Sequence, residues 1–297
     1  MEEKKKHGCL NGLVIASCFY EVKAYSPYVT SLVNSIGVLN ELGIPFDYYE
    51  LSGDSYVDRA KNTLVHRFLQ SDASHLFMID SDEAWNIEGF ARMLKAAMAG
   101  AEVVGAAYPC KNNWEFFGCI PNKAEDGSMM GKEIGDMRLL DMWGVPGGFI
   151  IYSRKAFERT RPNLDTYTEP TTGEEILEAF KCNVEPHKIK SKEELEAMDK
   201  AELAELAYRM QKGLRGSGGR IGEDIYFQKR YKEMGGIVWL EPNVTIQHYG
   251  IKAWEGNYHN FLLQCKAESE IEKAVGSTES ETAELLADLG KKGDACA

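Results

Sequence analysis

Residues 75–82 read HLFMIDSD, an apolar run that stops abruptly at two aspartates one residue apart. An unbroken apolar stretch of this length, closed by charged residues, suits a strand buried on both faces of a parallel sheet. In open α/β sheets, ligands gather at the carboxyl ends of such strands. Asp80 and Asp82 would then stand where a ligand binds, offering hard oxygen donors to a divalent cation that can bridge to a diphosphate. A competing reading makes Ser81, Asp82 and Glu83 the cap of a helix beginning near Trp85, a frequent use of Ser and Asp. The motif alone supports both.

The surrounding chain fits the sheet. Strand-like runs at 13–17 (LVIAS), 46–51 (FDYYEL) and 102–108 (EVVGAAY) alternate with three helical stretches. At 26–42, Val29, Leu32, Val33, Ile36, Leu39 and Leu42 recur at helical spacing. At 58–69, Ala60, Leu64, Val65 and Phe68 share a face, and a third helix covers 86–99. This alternation predicts an α/β fold with a mostly parallel central sheet flanked by helices. Past residue 112 the pattern changes. Residues 112–142, rich in Gly and Met, read as a smaller mixed β region, and 143–153 (WGVPGGFIIYS) as a glycine turn entering a strand, with a short helix from Arg154. Residues 163–219 are highly charged and read as an insertion. A helix at 192–212 would dock there through Leu195, Met198, Leu203, Leu206 and Met210, followed by a glycine-rich loop at 213–219. A helix at 223–234 and strands at 237–240 and 244–248 complete one domain over 10–268, leaving a polar tail at 269–297.

Bulk properties exclude several classes. No run approaches the roughly 18 apolar residues that span a bilayer. The basic cluster near the start leads straight into the first strand without a small-residue cleavage pattern, so it reads as no export signal. Seven cysteines without a CxxC pair argue against a disulfide framework or a zinc ribbon and for a reducing compartment, hence a cytoplasmic protein (in the host cytoplasm if viral). A net charge of −12, from 34 basic and 46 acidic residues, disfavours nonspecific binding to nucleic acid or anionic lipid.

Several further sites carry chemistry, each beside a plainer reading. The end of the first strand, with Ser17, is small and polar enough for a nucleoside to lie against it. Arg59 could approach a phosphate and Asn62 offer amide hydrogen bonds; the plainer reading is an N-cap at Asp58 with a solvated helix face. Gly147 and Gly148 permit close backbone approach to a ligand, or form a plain turn. Glu223 and Asp224, at a helix start, could supply a general base, or complement the helix dipole. His248, closing VTIQHYG, is either a metal ligand or a structural histidine.

Taken in order, LVIAS, VDRAKNTLVHRFLQSDASHLFMIDSD, VPGGFIIYSRKAFER, GEDIYFQKRYKEMGG and WLEPNVTIQHYG resemble the GT-A (Rossmann-like) glycosyltransferases. The combination is similar to inverting, family-2-like enzymes of bacteria and phages, and covers roughly 10 to 260. The charged insertion before Glu223 is longer than in compact members. The resemblance implies that Asp80, Asp82 and His248 hold Mn²⁺ or Mg²⁺ against the donor diphosphate, with Asp82 the direct ligand. It makes Asp224 of the Glu223–Asp224 pair the catalytic base. It assigns Ser17, Arg59, Asn62 and Asp80 to the nucleotide, Gly147 and Gly148 to the floor of the sugar pocket, and Lys252 and Trp254 to a closing segment.

The implied activity is transfer of a sugar from a nucleoside-diphosphate sugar, a UDP-sugar, to a hydroxyl acceptor with inversion. A glycan is the default acceptor. A hydroxymethylated DNA base is the alternative, requiring a basic surface from Lys181, Lys188, Lys190, Lys212, Arg215 and Arg220. Two rivals stand beside it. A nucleotidyltransferase would carry a glycine-rich basic loop after the first strand, where ASCFYEVKAYS stands instead. A noncatalytic nucleotide- or sugar-binding module would bind without turnover.

Overall fold

The computed structural model describes residues 10–111, 116, 119–184, 199–200, 203, 220–250 and 253–266. The expected helix at 192–212, the loop after it and the tail lie outside these residues, apart from positions 199, 200 and 203. So do Lys188, Lys190, Lys212, Arg215 and Lys252, together with the side chains of Arg220 and Trp254. No described helix is long and apolar enough to cross a membrane.

The elements follow the expected alternation. Strand β1 (Leu13–Phe19), helix α1 (Ser26–Leu42), β2 (Phe46–Ser52), α2 (Val57–Gln70) and β3 (His75–Ile79) come first. Next are β4 (Glu83–Trp85), α3 (Ile87–Met98), β5 (Val103–Gly105), β6 (Ile120–Pro121), β7 (Gly131–Ile134), β8 (Met137–Gly144), β9 (Phe149–Ser153) and α4 (Arg154–Thr160). Two short pairs follow, β10 (Thr166–Thr168) with β11 (Glu175–Leu177), and β12 (Asn183–Val184) with β13 (Arg220–Ile221). Helix α5 (Glu223–Glu233) and strands β14 (Val238–Leu240), β15 (Thr245–Tyr249) and β16 (Ala253–Asn257) follow, and the described residues 258–266 are helical.

The main sheet has the order β2-β1-β3-β9-β5-β14-β8-β6, with β7 also on β8. Strands β2, β1, β3, β5 and β14 run one way, as do β6 and β7, while β9 and β8 run against them. This is an α/β fold, a mixed sheet with its parallel strands at the core and helices on both faces. Strand β3 is buried at every position. Phe77 and Ile79 enter the core on one face, beside Phe90 and Phe149, and Leu76 and Met78 the core on the other, beside Phe68 and Phe157. Phe77 packs edge-on against Phe149 at 4.8 Å. Burying each such side chain contributes about 1.5–3 kcal/mol.

Several expectations change. The helix-cap reading of Ser81–Glu83 is wrong: those residues lead into β4, and Asn86 caps α3 by accepting the Gly89 amide at 3.1 Å. Helix α1 has the expected limits but a different buried face. Tyr28, Ser31, Ser35 and Leu39 are buried, whereas Val29, Val33 and Leu42 are exposed. The reason is β4. Ser31 Oγ donates to the Trp85 carbonyl at 2.9 Å and accepts its amide at 3.1 Å, and Ser35 Oγ accepts the Trp85 indole N–H at 2.9 Å. Small hydroxyl side chains let the strand approach and satisfy a buried indole. The strand at 102–108 contracts to β5. The described start of the charged segment is not peripheral: Leu177, Ala179 and Phe180 are buried in the core with Tyr152 and Phe227.

A three-stranded sheet, β16-β15-β4, covers the carboxyl end of β3. Its register sets His248 opposite Glu83, and the Tyr249 amide donates to the Asp82 carbonyl at 2.7 Å. Strand β9 brings the glycine turn to the same place, where the Asp80 amide donates to the Gly148 carbonyl at 2.8 Å.

Candidate active site

The chain changes direction at the end of β3, and a cluster of carboxylates forms there. Asp80 follows the strand, Asp82 lies between β3 and β4, Glu83 opens β4, and Glu223 and Asp224 come from the first turn of α5. The first-turn position suits acidic side chains, because unpaired amides and the helix dipole favour negative charge there.

Lys61 ties these pieces together. It sits on the buried face of α2 between Ala60 and Leu64 and is 3% exposed. Its ammonium donates to Glu223 Oε1 at 3.0 Å and lies 3.8 Å from Asp80 Oδ1. Burial alone would lower the Lys61 pKa, but the charges of Asp80, Glu223 and Asp224 outweigh it and hold the lysine protonated. Burial likewise opposes ionisation of Glu223, yet the Lys61 charge and hydrogen bond keep that carboxyl below its ordinary range.

Asp224 differs from its neighbour. Its Oδ2 accepts the Gly147 amide and its Oδ1 the Ile225 amide, at 2.8 and 2.7 Å. Burial, reinforced by the Glu223 charge, raises its pKa. Of the two acids at the helix start, Glu223 is locked to a buried cation and Asp224 is the more basic carboxylate.

Gly148 closes the floor between the two sides. A Cβ there would stand 2.3 Å from Glu83 Oε1 and 2.7 Å from both Asp80 Oδ2 and the Tyr108 hydroxyl, so only glycine fits. A Cβ at Gly147 would meet Asp224 Cβ at 2.6 Å. The Gly148 amide donates to the Tyr108 hydroxyl at 3.1 Å. Glu83 is fully buried, and neither carboxylate oxygen has a hydrogen-bond partner among the described residues. Burial first, then the charges of Asp80 and Asp82, push its pKa well above the carboxyl range.

On the other side stand Asp82 and His248. His248 Nδ1 is 2.9 Å from the Pro109 carbonyl. A carbonyl only accepts, so Nδ1 carries the proton and Nε2 presents a lone pair. That lone pair faces Asp82 Oδ1 at 3.8 Å. Burial lowers the His248 pKa, which favours the neutral ring a metal requires. Lys111 forms an ion pair with Asp82 Oδ2.

A cleft of about 290 Å³ opens beside Asp80 and Asp82, walled by Cys18, Phe19, Tyr20, Leu51 and Asp54. A second hollow, with Tyr20, Lys23 and Tyr25, adjoins it across Ser81 and Asp82.

Of the residues singled out from sequence, Asp80, Asp82, Gly147, Gly148, Glu223, Asp224 and His248 converge here. Three do not join them. Ser17 is buried and its hydroxyl is bonded to that of Tyr28 at 2.6 Å. Asn62 is buried and uses both ends of its amide on the Phe180 backbone, each bond 2.8 Å. Arg59 turns outward, paired with Asp54 through two bonds of 2.8 and 2.7 Å and set over the Tyr56 ring. Lys181, one of the basic residues considered for a DNA surface, is paired with Glu178 and Asp165.

Lys61, Glu83, Tyr108 and Lys111 were not anticipated. Lys61 left a signal, a lone charge inside the apolar stripe of Ala60, Leu64, Val65 and Phe68. Glu83 left one too, a third acid directly after the paired aspartates. Tyr108 and Lys111 left none.

No protein-family model matches the chain, and no curated protein matches it. Among solved structures, A197 from STIV aligns with a TM-score of 0.42 at 16% identity, covering 80% of this chain and 85% of that one. GalNAc-T7, crystallised with UDP, GalNAc and Mn²⁺, aligns at 0.40 and 11% identity over 82% of this chain and 44% of its own. A glycosyltransferase involved in glycosylation of the major capsid of PBCV-1 aligns at 0.29 and 10% identity, over 49% of this chain and 61% of that one.

Proposed function

We propose that the chain is a metal-dependent glycosyltransferase that moves a sugar from a nucleoside-diphosphate sugar, a UDP-sugar, to a hydroxyl acceptor with inversion. The observation that carries this reading is the meeting of two chemically distinct ends across the Gly147–Gly148 floor. Asp82 and the Nε2 lone pair of His248 lie on one side, and Asp224 on the other.

The residues fit a divalent ion. Among the described residues no three His, Cys, Asp or Glu side chains form a ready cage. A nucleotide site needs less, because one or two carboxylates and the substrate's own phosphates complete the shell. Asp82 and His248 would hold the ion, with Asp80 beside them, and the carbonyl bond of His248 supplies the outer support that orients a ligating imidazole. The ion would stabilise the negative charge that develops on the departing diphosphate.

The protein's own groups supply the rest. Asp224 accepts the acceptor hydroxyl's proton as that oxygen attacks the anomeric carbon, and its raised basicity suits this task. Lys61 keeps Glu223 engaged, so the pair divides its labour. The cleft beside Cys18, Phe19 and Tyr20 offers an apolar wall for a nucleoside, and Asp54 an acceptor at its rim. A glycan is the acceptor this reading favours.

Calorimetric titration with UDP tests the donor half. UDP should bind in the presence of Mn²⁺ and lose most of its affinity without it, or in Asp82→Asn. Equal affinity with and without the ion would sink the metal assignment.

A further inference from the structure

Asp82 already holds a cation. The Lys111 ammonium pairs with its Oδ2, while its Oδ1 faces His248 Nε2 at 3.8 Å. The position of this lysine is built by its surroundings. It follows Tyr108 and Pro109, which are both fastened to the site, one through the Gly148 amide and the other through His248 Nδ1. Its aliphatic stem runs along Gly250, where a Cβ would come within 3.2 Å of Lys111 Cδ, tight enough to push the stem aside.

Lys111 differs from the other lysine at the cluster. Lys61 is 3% exposed and committed to Glu223 and Asp80, whereas the Lys111 side chain is 40% exposed and can swing away. A divalent ion between Asp82 Oδ1 and His248 Nε2 would stand beside the ammonium on Oδ2 of the same carboxylate, where the two positive charges repel and the exposed lysine is the one that yields. Once released, the ammonium remains tethered beside Asp82, and it has three donors to offer a diphosphate.

We propose that Lys111 is a tethered counter-ion of Asp82 that a divalent cation displaces, and that the freed ammonium then pairs with the diphosphate of the bound nucleotide. The proposal rests on the metal reading above. It adds that ion entry and lysine release are one exchange, so the same residue weakens binding of the bare ion and strengthens binding of the nucleotide.

The test uses Mn²⁺ alone, followed by the resonance signal of the free ion, and then UDP at saturating Mn²⁺. It compares the full-length protein with Lys111→Met, Lys111→Arg and Asp82→Asn. Lys95→Met serves as a control, since Lys95 is an exposed lysine paired with Asp136. Lys111→Met should bind Mn²⁺ three- to tenfold more tightly, yet bind UDP about tenfold more weakly once the ion is saturating. Lys111→Arg should restore UDP binding, and Lys95→Met should match the wild type in both. If Asp82→Asn loses Mn²⁺ while Lys111→Met is unchanged, the exchange is refuted and the metal site stands. Equal tightening in Lys95→Met would reduce the effect to overall charge and also refute it. Unaltered UDP binding in Lys111→Met would overturn the diphosphate contact. If Asp82→Asn binds Mn²⁺ like the wild type, the metal reading itself fails and the exchange falls with it.

Discussion

Lys61 donates to Glu223 at 3.0 Å across 162 residues of chain, and this bond joins α2 to the acid-bearing start of α5. Removing one member of a buried pair leaves the other charge uncompensated, which costs about 3–5 kcal/mol. Lys61→Met should therefore lower the unfolding free energy read from urea titration by that amount. Adding Glu223→Gln to it should recover a good part of the loss, because the stranded carboxylate is then gone. A double variant as unstable as the single one would show that the pair is not the source.

Asp224 should be dispensable for donor binding and indispensable for transfer. Asp224→Asn removes the base and keeps the shape, so UDP affinity should hold while turnover falls about 10²- to 10⁴-fold. The wild-type rate should depend on pH with a definite sign. A base works ionised, and burial together with the Glu223 charge raises the pKa of Asp224. Turnover should thus be present at neutral pH and be lost on acidification, at a higher pH than an ordinary aspartate would allow. A rate that stays flat down to the usual aspartate range would contradict this assignment.

Gly148→Ala should damage the site more than the fold. The added methyl would press on Glu83, Asp80 and Tyr108 together, at distances no real Cβ accepts. Overpacking of this kind costs about 1–3 kcal/mol, and it would displace Asp80. Loss of Mn²⁺-dependent UDP binding with a modest drop in melting temperature is the expected outcome. Unchanged UDP binding would show that the floor has slack.

His75 gives the fold a pH dependence remote from the cluster. It opens β3, is 2% exposed, and its ring nitrogen shares a hydrogen bond of 2.8 Å with the Ser74 hydroxyl. Burial, with a smaller effect from Lys155, lowers its pKa from 6.5 to about 4. The folded protein therefore resists a proton that the unfolded chain accepts. Stability is full above pH 6.5 and falls as pH drops toward 4, by up to about 3 kcal/mol. In urea titrations across that window, His75→Gln should flatten the dependence. An unchanged slope in the variant would assign it to other groups.

Much of this fold was legible because its signals are local. HLFMI declared a strand buried on two sides, and 26–42 declared a helix whose limits the structure reproduces. What escaped was decided by partners distant in sequence. Spacing alone favoured Val29 and Val33 as the buried face of α1. The face is instead set by Trp85, 54 residues away from Ser31, which needs hydroxyls to satisfy its backbone and indole. Asn62 looked like a nucleotide contact because it precedes the aspartates, yet its amide matches the Phe180 backbone 118 residues on. At the cluster the acids, the glycines and the histidine were readable as residue types fit for the chemistry. The cations that balance the acids were not, since a lysine in a helix stripe or beyond a strand has meaning only once the carboxylates are brought to it.

One assay tests turnover directly: release of nucleoside diphosphate from a panel of nucleotide sugars, with and without Mn²⁺, by wild type and Asp82→Asn. At least one donor, a UDP-sugar first of all, should be cleaved by the wild type only when Mn²⁺ is present, and Asp82→Asn should leave it intact. No metal-dependent release from any donor would contradict the account.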